Sequence, residues 1–370
     1  CRMSDPVRSV AVFTLTLQRD TPYLGAPRRG EEPNAQGYFV RKGNRTVYPT
    51  FDRSVLVRIE TGHGIVGWGE TYGLVAPGAV GAIINDLLAS FTIGRDPQDP
   101  TLIYDDLYDL MRVRGYTGGF YVDALAAIDI ALWDIAGKQQ GKPVHALLGG
   151  AIHNQIPAYV SGLPEATRAK RAALAESWQA RGFNAFKFAT PVADDGAAVE
   201  LETLRSALGD DARIAADMHW NQTADQALEL IAAMQPYGLW FAEAPVRTED
   251  ISGLEKVTNA SATPIAVGEE WRTEHDFIQR VERCKIAIVQ PEMGHKGITN
   301  FMRIGAVAAA HSIEIIPHAT IGTGVFLAAS LQASSALSDM DCENGAYTLP
   351  TGNGLGVELS SEALELLQPI

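Results

Sequence analysis

The sequence predicts an α/β protein: a modified (β/α)8 barrel of the TIM type with an N-terminal α+β capping domain. Three observations lead to this fold class. From residue 155 onward, short apolar runs alternate with amphipathic segments at steps of about 25–30 residues, as successive βα units do. Three of these runs end in a carboxylate. The first part of the chain has a different pattern, in which a few strands precede a group of helices.

The length of 370 residues suggests one large domain and one small domain. We assign residues 1–125 to the capping domain and residues 126–343 to the barrel, and we expect the tail from about 344 to 370 to pack back on the capping domain. The net charge of −14, without a basic run, argues against nucleic acid and membrane as partners. Three scattered cysteines favour a cytoplasmic protein.

The capping domain begins with three predicted strands, at residues 10–17, 54–60 and 65–69. The second and third are joined by Thr61-Gly62-His63-Gly64, which predicts a hairpin turn and an exposed histidine. Amphipathic helices are predicted at residues 80–90 and 100–112, and a longer apolar helix at residues 122–138. Asp129 lies on the apolar stripe of that helix, so we expect it to be a hydrogen-bonded structural residue.

A long polar stretch, residues 20–52, separates the first two strands. One interpretation is a flexible surface loop; the other is a lid whose arginines and tyrosines recognise an anionic, hydroxylated substrate. On the second interpretation Tyr23, Arg28 and Tyr48 bind the substrate, and Glu70, after the third strand, lines the same lid.

Seven barrel strands are predicted, with helices between them and an eighth strand after a helix at residues 327–337. The seven strands are residues 156–160, 185–188, 214–217, 240–243, 265–267, 286–290 and 314–317.

The ends of these strands carry ionisable residues. Asp217, Glu243 and Glu269 follow one another at equal intervals of 26 residues, which is about the length of one βα unit. Parallel strands would therefore bring all three acids to one rim of the barrel, where their repulsion calls for a cation, and three oxygen ligands suit Mg²⁺. His219 follows Asp217 at the end of the same strand, and further ionisable groups lie at other strand ends: Lys187, Glu292 and His318.

This set of groups suits removal of a proton next to a carboxylate. A cation would bind the substrate carboxylate and stabilise the enediolate, and Lys187 can stabilise the same charge. His219 and His318 can act as acid and base near neutral pH, and Glu292 could orient His318. Which histidine is the base stays open.

Several motifs resemble the enolase superfamily, in its mandelate racemase/muconate lactonizing enzyme-like branch. They include the helix sequence AIDIALWDIAGK at residues 127–138, the three acids in their sequence contexts, Val289-Gln290-Pro291-Glu292 and Gly354-Leu355-Gly356. The resemblance covers nearly the whole chain. It implies that the capping domain sets substrate specificity and that Asp217, Glu243 and Glu269 hold Mg²⁺.

Departures from the family pattern narrow the expected reaction. Ala189 stands where a second lysine usually serves as the base, which speaks against a lysine-based racemase. His219 and His318 resemble the histidines of acid-sugar dehydratases of the galactonate type, whereas Glu292 stands where those enzymes usually have Asp, which leaves the orientation of His318 open.

We therefore expect a Mg²⁺-dependent lyase that acts on a small-molecule carboxylate, an aldonate or aldarate, and forms a 2-keto-3-deoxy acid. The alternatives are an epimerase, racemase or cycloisomerase of a hydroxy acid or lactone, and a non-catalytic binding protein on the same scaffold. We also expect a homo-oligomer.

Overall fold

The computed structural model describes residues 5–18, 24–319, 322–337 and 345–370. Within these ranges the strands in chain order are β1 (Val7–Leu17), β2 (Tyr38–Val40), β3 (Val47–Pro49), β4 (Asp52–Thr61), β5 (Val66–Tyr72), β6 (Gln155–Pro157), β7 (Val160–Gly162), β8 (Ala185–Ala189), β9 (Arg213–Asp217), β10 (Leu239–Glu243), β11 (Ile265–Val267), β12 (Ile288–Val289), β13 (Glu314–Ile315), β14 (Ala346–Thr348) and β15 (Gln368–Pro369).

The helices are α1 (Pro77–Ile83), α2 (Ala89–Thr92), α3 (Pro100–Arg112), α4 (Gly119–Gln140), α5 (Val144–Leu147), α6 (Arg168–Gln179), α7 (Ala197–Leu208), α8 (Ala224–Met234), α9 (Ile251–Ala260), α10 (Glu274–Val281), α11 (Met293–Ala310), α12 (Val325–Ser334) and α13 (Ser361–Leu366). A π-helical segment, Ile84–Leu88, connects α1 to α2, and short 3-10 turns lie at Thr190–Val192 and Gln235–Tyr237.

The capping sheet is antiparallel, with the strand order β15-β1-β4-β5. Its central strand β4 is rich in β-branched and leucine residues, and Val55, Leu56, Val57 and Ile59 are all buried. The predicted hairpin joins β4 to β5, and His63 in its turn is exposed. The last strand, β15, pairs with β1, so the C-terminal tail lies against the capping sheet.

The second sheet contains seven parallel strands in the order β13-β12-β11-β10-β9-β8-β7. Neighbours in the sheet are neighbours in the chain, and helices α6 to α11 connect them, so the predicted βα repeat is confirmed. The sheet has the curled half-barrel form of a modified TIM barrel with an N-terminal capping domain. The carboxyl ends of all seven strands meet at one edge, which is where such folds carry their chemistry.

The barrel differs from the prediction at its two ends. The strand predicted at residues 156–160 is divided: β6 pairs antiparallel with β14, and only β7 joins the parallel sheet. Pro157 ends β6, and because proline has no N–H it cannot continue a central ladder. The expected eighth parallel strand is not found in the described residues, since β14, which follows α12, lies in the β6 ribbon instead.

Helix α4 joins the two halves of the molecule. Its residues pack into the capping core and into the barrel core, and nearly all of its middle turns are buried. Asp129 accepts hydrogen bonds from the backbone N–H of Thr299 at 2.9 Å and from its hydroxyl at 2.6 Å, which ties α4 to α11 and confirms the structural role expected of this acid. Burial raises the pKa of Asp129 to about 7.

Two glycines let β5 approach α4 backbone to backbone. A Cβ atom on Gly69 would lie 1.8 Å from the carbonyl oxygen of Ala127, and one on Gly67 would lie 2.3 Å from that of Ala131. Alanine at either position would therefore push the helix away from the sheet.

No helix among the described residues is long and apolar enough to cross a membrane.

Replacing Gly69 with alanine is expected to destabilise the protein, because the new methyl group meets backbone that cannot move aside. Overpacking of this kind lowers the free energy of unfolding by about 1–3 kcal/mol, and we expect a clash with backbone atoms to cause a loss at the upper end of that range. The melting temperature measured by circular dichroism should fall clearly. The matched control is Gly78→Ala in α1, where no atom lies within 4 Å of the added Cβ and the melting temperature should stay or rise slightly. Equal melting temperatures for the two variants would contradict the close-approach argument.

Candidate active site

Three carboxylates meet at the carboxyl edge of the parallel sheet. Asp217 and Glu243 end the adjacent strands β9 and β10 and are paired in register, and Glu269 follows β11, the next strand of the sheet. The side chains of Asp217 and Glu243 are buried, whereas that of Glu269 is 21% exposed. The equal spacing seen in the sequence therefore reflects three successive βα units that deliver their acids to one place.

Lys187, from the neighbouring strand β8, neutralises part of this negative charge. Its Nζ donates to both carboxylate oxygens of Glu243, at 2.7 and 2.6 Å, and Gln290 donates to the same carboxylate at 2.8 Å. Burial would lower the pKa of Lys187, but the acidic groups around it, of which Glu243 has the largest effect, together hold that pKa well above its usual value. Burial raises the pKa of Glu243, and the charges of Asp217 and Glu269 add to this effect.

His318 links the acids to a second carboxylate. Its Nε2 lies 2.6 Å from Glu269 Oε2 and its Nδ1 lies 2.6 Å from Glu292 Oε2. Burial opposes the charged imidazolium, yet the contacts with Glu269 and Glu292 together raise the pKa of His318 to about 10. Glu292 also accepts a hydrogen bond from the N–H of Gly294 at the start of α11, which fixes its carboxylate. The side chain of Glu292 is one methylene longer than the aspartate expected at this position, and its carboxylate nevertheless reaches His318.

His219 lies on the other side of the acids in sheet order, after β9. It and Trp220 have positive φ angles of 52° and 51°, a conformation that non-glycine residues rarely adopt and that is common at functional sites. Its backbone N–H donates to Asp217 Oδ1 at 3.0 Å, and its Nε2 lies 2.8 Å from Asp217 Oδ2. Burial would lower the pKa of His219, but the charges of Asp217, Glu269 and Glu243 together raise that pKa.

The stretch predicted as a loop or lid covers this edge and contains a small hairpin, β2–β3. The turn of the hairpin reaches the barrel: Asn44 Nδ2 lies 3.2 Å from His219 Nδ1, and Asn221 donates to the carbonyl of Gly43 at 2.6 Å. A buried ion pair between Arg41 and Glu31, 2.7 Å apart, holds the stretch together from within.

The space above Ala189 is filled by this capping segment. Ala189 packs in an apolar cluster with Leu24, Phe39, Tyr48 and Val192. A lysine at this position would have to displace these side chains. The space that a second lysine would need is therefore filled by packed apolar residues. Burial raises the pKa of Tyr48, and the nearby charges of Asp217 and Glu269 raise it further.

The structure brings together most of the side chains that the sequence singled out. The residues at the acid cluster or in contact with it are Lys187, Asp217, His219, Glu243, Glu269, Glu292 and His318, with Tyr48 close by.

Two predicted substrate ligands make other contacts. Glu70 is fully buried and accepts hydrogen bonds from the N–H groups of Thr323 and Phe326 at 2.6 and 3.1 Å, so it holds the start of α12 rather than lining a lid. Arg28 is engaged with the Asp194 carboxylate and with the carbonyl of Val192 at 3.0 Å, because the capping segment docks on the loop after β8. Tyr23 lies outside the described residues.

Sequence reasoning missed two neighbours of the site, Asn44 and Tyr159, and a third neighbour is Lys296 in α11. Asn44 carried no signal, since it is a polar residue in a polar stretch. Tyr159 precedes β7 and lies under Lys187, whose Nζ is 5.4 Å from the centre of the ring; burial raises the pKa of Tyr159 to about 12. Lys296 is fully buried and donates to the carbonyl of Glu269 at 3.0 Å; burial lowers its pKa to about 7.

The donor set fits a hard divalent cation. One oxygen each of Glu243 and Glu269 and a ring nitrogen of His318 lie within 4.8 Å of one another. Asp217 lies outside this group of three, although its strand position is paired in register with that of Glu243. Oxygen-rich clusters of like charge are stabilised by ions such as Mg²⁺.

Comparisons with known proteins agree with this architecture. Residues 46–149 match the mandelate racemase/muconate lactonizing enzyme N-terminal domain, and residues 170–342 match the enolase C-terminal domain-like family. The chain is 30% identical over 351 residues to D-galactarolactone cycloisomerase of Agrobacterium fabrum, which covers 85% of this chain and 91% of that protein. It is 33% identical over 297 residues to D-galactonate dehydratase of Ralstonia pickettii, which covers 77% and 76% of the two chains.

A solved structure of an enolase superfamily member from Agrobacterium tumefaciens is 66% identical to this chain, with a TM-score of 0.96 and full coverage of both chains. Both domain types and the half-barrel are therefore shared with known proteins. The chain belongs to the enolase superfamily, in the branch of mandelate racemase and muconate lactonizing enzyme.

Proposed function

We propose that this protein is a Mg²⁺-dependent dehydratase of an acid sugar. The observation that carries the proposal is the placement of two histidines on opposite sides of the acid cluster in sheet order, each with its Nε2 turned toward a carboxylate of that cluster. Two imidazoles that face one reacting centre can remove a proton on one side and assist a leaving group on the other.

Asp217, Glu243 and Glu269 would hold the cation. When bound, Mg²⁺ would bind the substrate carboxylate and offset the negative charge that develops as the α-proton leaves. Lys187 lies against Glu243 and adds a fixed positive charge to the same region.

The contacts of His318 favour it as the base. A carboxylate can only accept, so Glu292 holds the ring proton at Nδ1, and Nε2, which lies 2.6 Å from the Glu269 carboxylate, must release its proton before it can act as the base. In the proposed reaction the α C–H bond breaks and its proton goes to Nε2 of His318. The electron pair forms the C2–C3 double bond, the C3–O bond breaks, and the hydroxyl leaves as water with a proton from Nε2 of His219. The enol product then becomes the 2-keto-3-deoxy acid.

The substrate class is supported by two relatives that act on closely related compounds, a D-galactonate dehydratase and a D-galactarolactone cycloisomerase. The cycloisomerase is the reason to keep a second candidate, since 91% of that protein is covered by the match. A cycloisomerase would use the same first step, proton transfer next to the carboxylate, without loss of water. The two reactions differ in their product, so a product assay separates them.

Substitution of each proposed ligand should weaken Mg²⁺ binding. Asp217→Asn, Glu243→Gln and Glu269→Gln each remove one negative charge from the cluster, and we expect the Kd measured by isothermal titration calorimetry to rise at least about tenfold. Glu270→Gln is the matched control, because Glu270 is the next residue in the chain and loses the same charge. Its Kd should stay within about threefold of the wild type. A larger effect at Glu270 than at Glu269 would show that the ligands are wrongly assigned.

The two histidines should have separable effects on turnover. With Mg²⁺ and a library of aldonates and aldarates, the wild type is expected to release a 2-keto-3-deoxy acid, and His219→Asn and His318→Asn should each lower kcat by about 10²-fold or more. In deuterium oxide, His219→Asn should still exchange the α-proton of the substrate, whereas His318→Asn should not.

Three outcomes would count against the proposed dehydration. Full turnover by both variants would exclude the mechanism. Deuterium in recovered substrate of the wild type, without loss of water, would favour the isomerase or cycloisomerase. Tight Mg²⁺ binding without any turnover across the library would favour a binding protein on this scaffold.

A further inference from the structure

A cavity lies between the two outer strands of the parallel sheet. In the described residues this sheet is open, with β7 at one side and β13 at the other. Val160 of β7 and Ile315 of β13 both line the cavity, and one face of α12 forms another wall. Its volume is about 350 Å³. Small-molecule sites range from roughly 300 to 1,000 Å³, so this one suits a molecule of one or two rings.

Much of the lining is aromatic and uncharged. Tyr159, Trp178, Phe183 and Trp240 line the cavity. The rings of Trp178 and Phe183 meet edge to face with their centres 5.4 Å apart, and those of Tyr159 and Trp240 do so at 6.3 Å. No Asp, Glu, Lys or Arg occurs among the described residues of the lining. An anionic acid sugar would lose its hydration there without gaining a counter-charge, so the cavity favours a neutral molecule.

The α12 wall carries two serine hydroxyls. Leu327, Ser330, Leu331 and Ser334 have the spacing of one helix face, and all four line the cavity. Ser330 is 4% exposed and Ser334 is 1% exposed. Serine hydroxyls inside helices often bond a carbonyl one turn earlier. Within the part of the chain that the structure describes, neither of these two hydroxyls makes a hydrogen bond.

These hydroxyls differ from most buried polar groups. Buried side-chain polar atoms nearly always have a hydrogen-bond partner, because a polar group left unpaired away from water costs free energy. The next serine in the chain follows this rule, since Ser335 donates to the carbonyl of Gln332 at 2.8 Å. Ser330 and Ser334 instead offer two hydrogen-bonding points, one helical turn apart, in an otherwise apolar wall. Such a lining is typical of a small-molecule site.

We propose that this cavity binds an uncharged aromatic molecule with a hydroxyl or carbonyl group. Its ring would pack among the aromatic side chains, and its polar group would bond to Ser330 and Ser334. The cavity also reaches the acid cluster, because His318 and Tyr159 line it and the ring of Tyr159 lies 5.4 Å from Lys187 Nζ. A molecule bound there lies beside the candidate active site, and its binding does not depend on the proposed function.

The test uses 2-naphthol as the probe and the whole protein. Its hydroxyl is uncharged at neutral pH, since a phenol has a pKa of about 10. Isothermal titration calorimetry should show saturable binding of one molecule per chain. The anion 2-naphthoate has the same rings, and it should bind at least about tenfold more weakly because the lining has no counter-charge for its carboxylate.

The double variant Ser330→Ala, Ser334→Ala removes both hydroxyls. It should bind 2-naphthol at least about threefold more weakly, and because no hydrogen bond within the protein is lost, its melting temperature should stay or rise. Ser335→Ala is the matched control, since Ser335 is buried just after α12 and does not line the cavity. Its Kd for 2-naphthol should stay within about twofold of the wild type, whereas its melting temperature should fall because the bond to Gln332 is lost.

A crystal structure of the complex should place the naphthol hydroxyl within hydrogen-bond distance of Ser330 or Ser334. The proposal is overturned if the wild type shows no saturable binding, if the double variant keeps the wild-type affinity, or if the probe lies elsewhere in the crystal. A protein that binds 2-naphthol as expected but turns over no acid sugar would refute the proposed function and leave this site established.

Discussion

The mutual repulsion of three carboxylates is the constraint around which this half of the molecule is arranged. Asp217, Glu243 and Glu269 lie at one edge of a parallel sheet because successive strands of such a sheet end on the same side. Charges placed there out of water must be paired. Lys187 and the two histidines provide these pairs, and the backbone around His219 adopts an uncommon conformation to bring its ring into place.

The part of the site that follows from chain periodicity could be predicted from the sequence. Successive βα units have similar lengths, so an acid at the end of one strand predicts the place of the next. The helix predicted at residues 100–112 begins and ends where its pattern indicates. The division of the first barrel strand could not be predicted in this way. Residues 155–157 pair with β14, almost 200 residues later in the chain, and an apolar run does not reveal such a distant partner.

Side chains whose role depends on the fit between the two domains were also beyond prediction. Glu70 follows a strand just as Glu243 does, but the capping sheet turns it toward the start of α12 instead of the substrate side. Arg28 and Tyr48 belong to one polar stretch, yet the first docks on a barrel loop and the second is buried beside the acids. Composition identifies such a stretch as functional; only packing shows which of its residues face the reaction.

The acid cluster locates the chemistry but does not choose it, since a cation held there could serve either a dehydration or an isomerisation. The two imidazoles beside it differ in what holds the ring nitrogen that points away from the acids. Glu292 binds that nitrogen in His318 as an acceptor, and the backbone N–H of Gly294 prevents the longer glutamate from turning away. Asn44 meets the same atom of His219 as a donor, and it comes from the capping domain. The capping domain therefore contributes directly to the surroundings of one of the two imidazoles, because Asn44 belongs to the hairpin that covers this edge of the sheet.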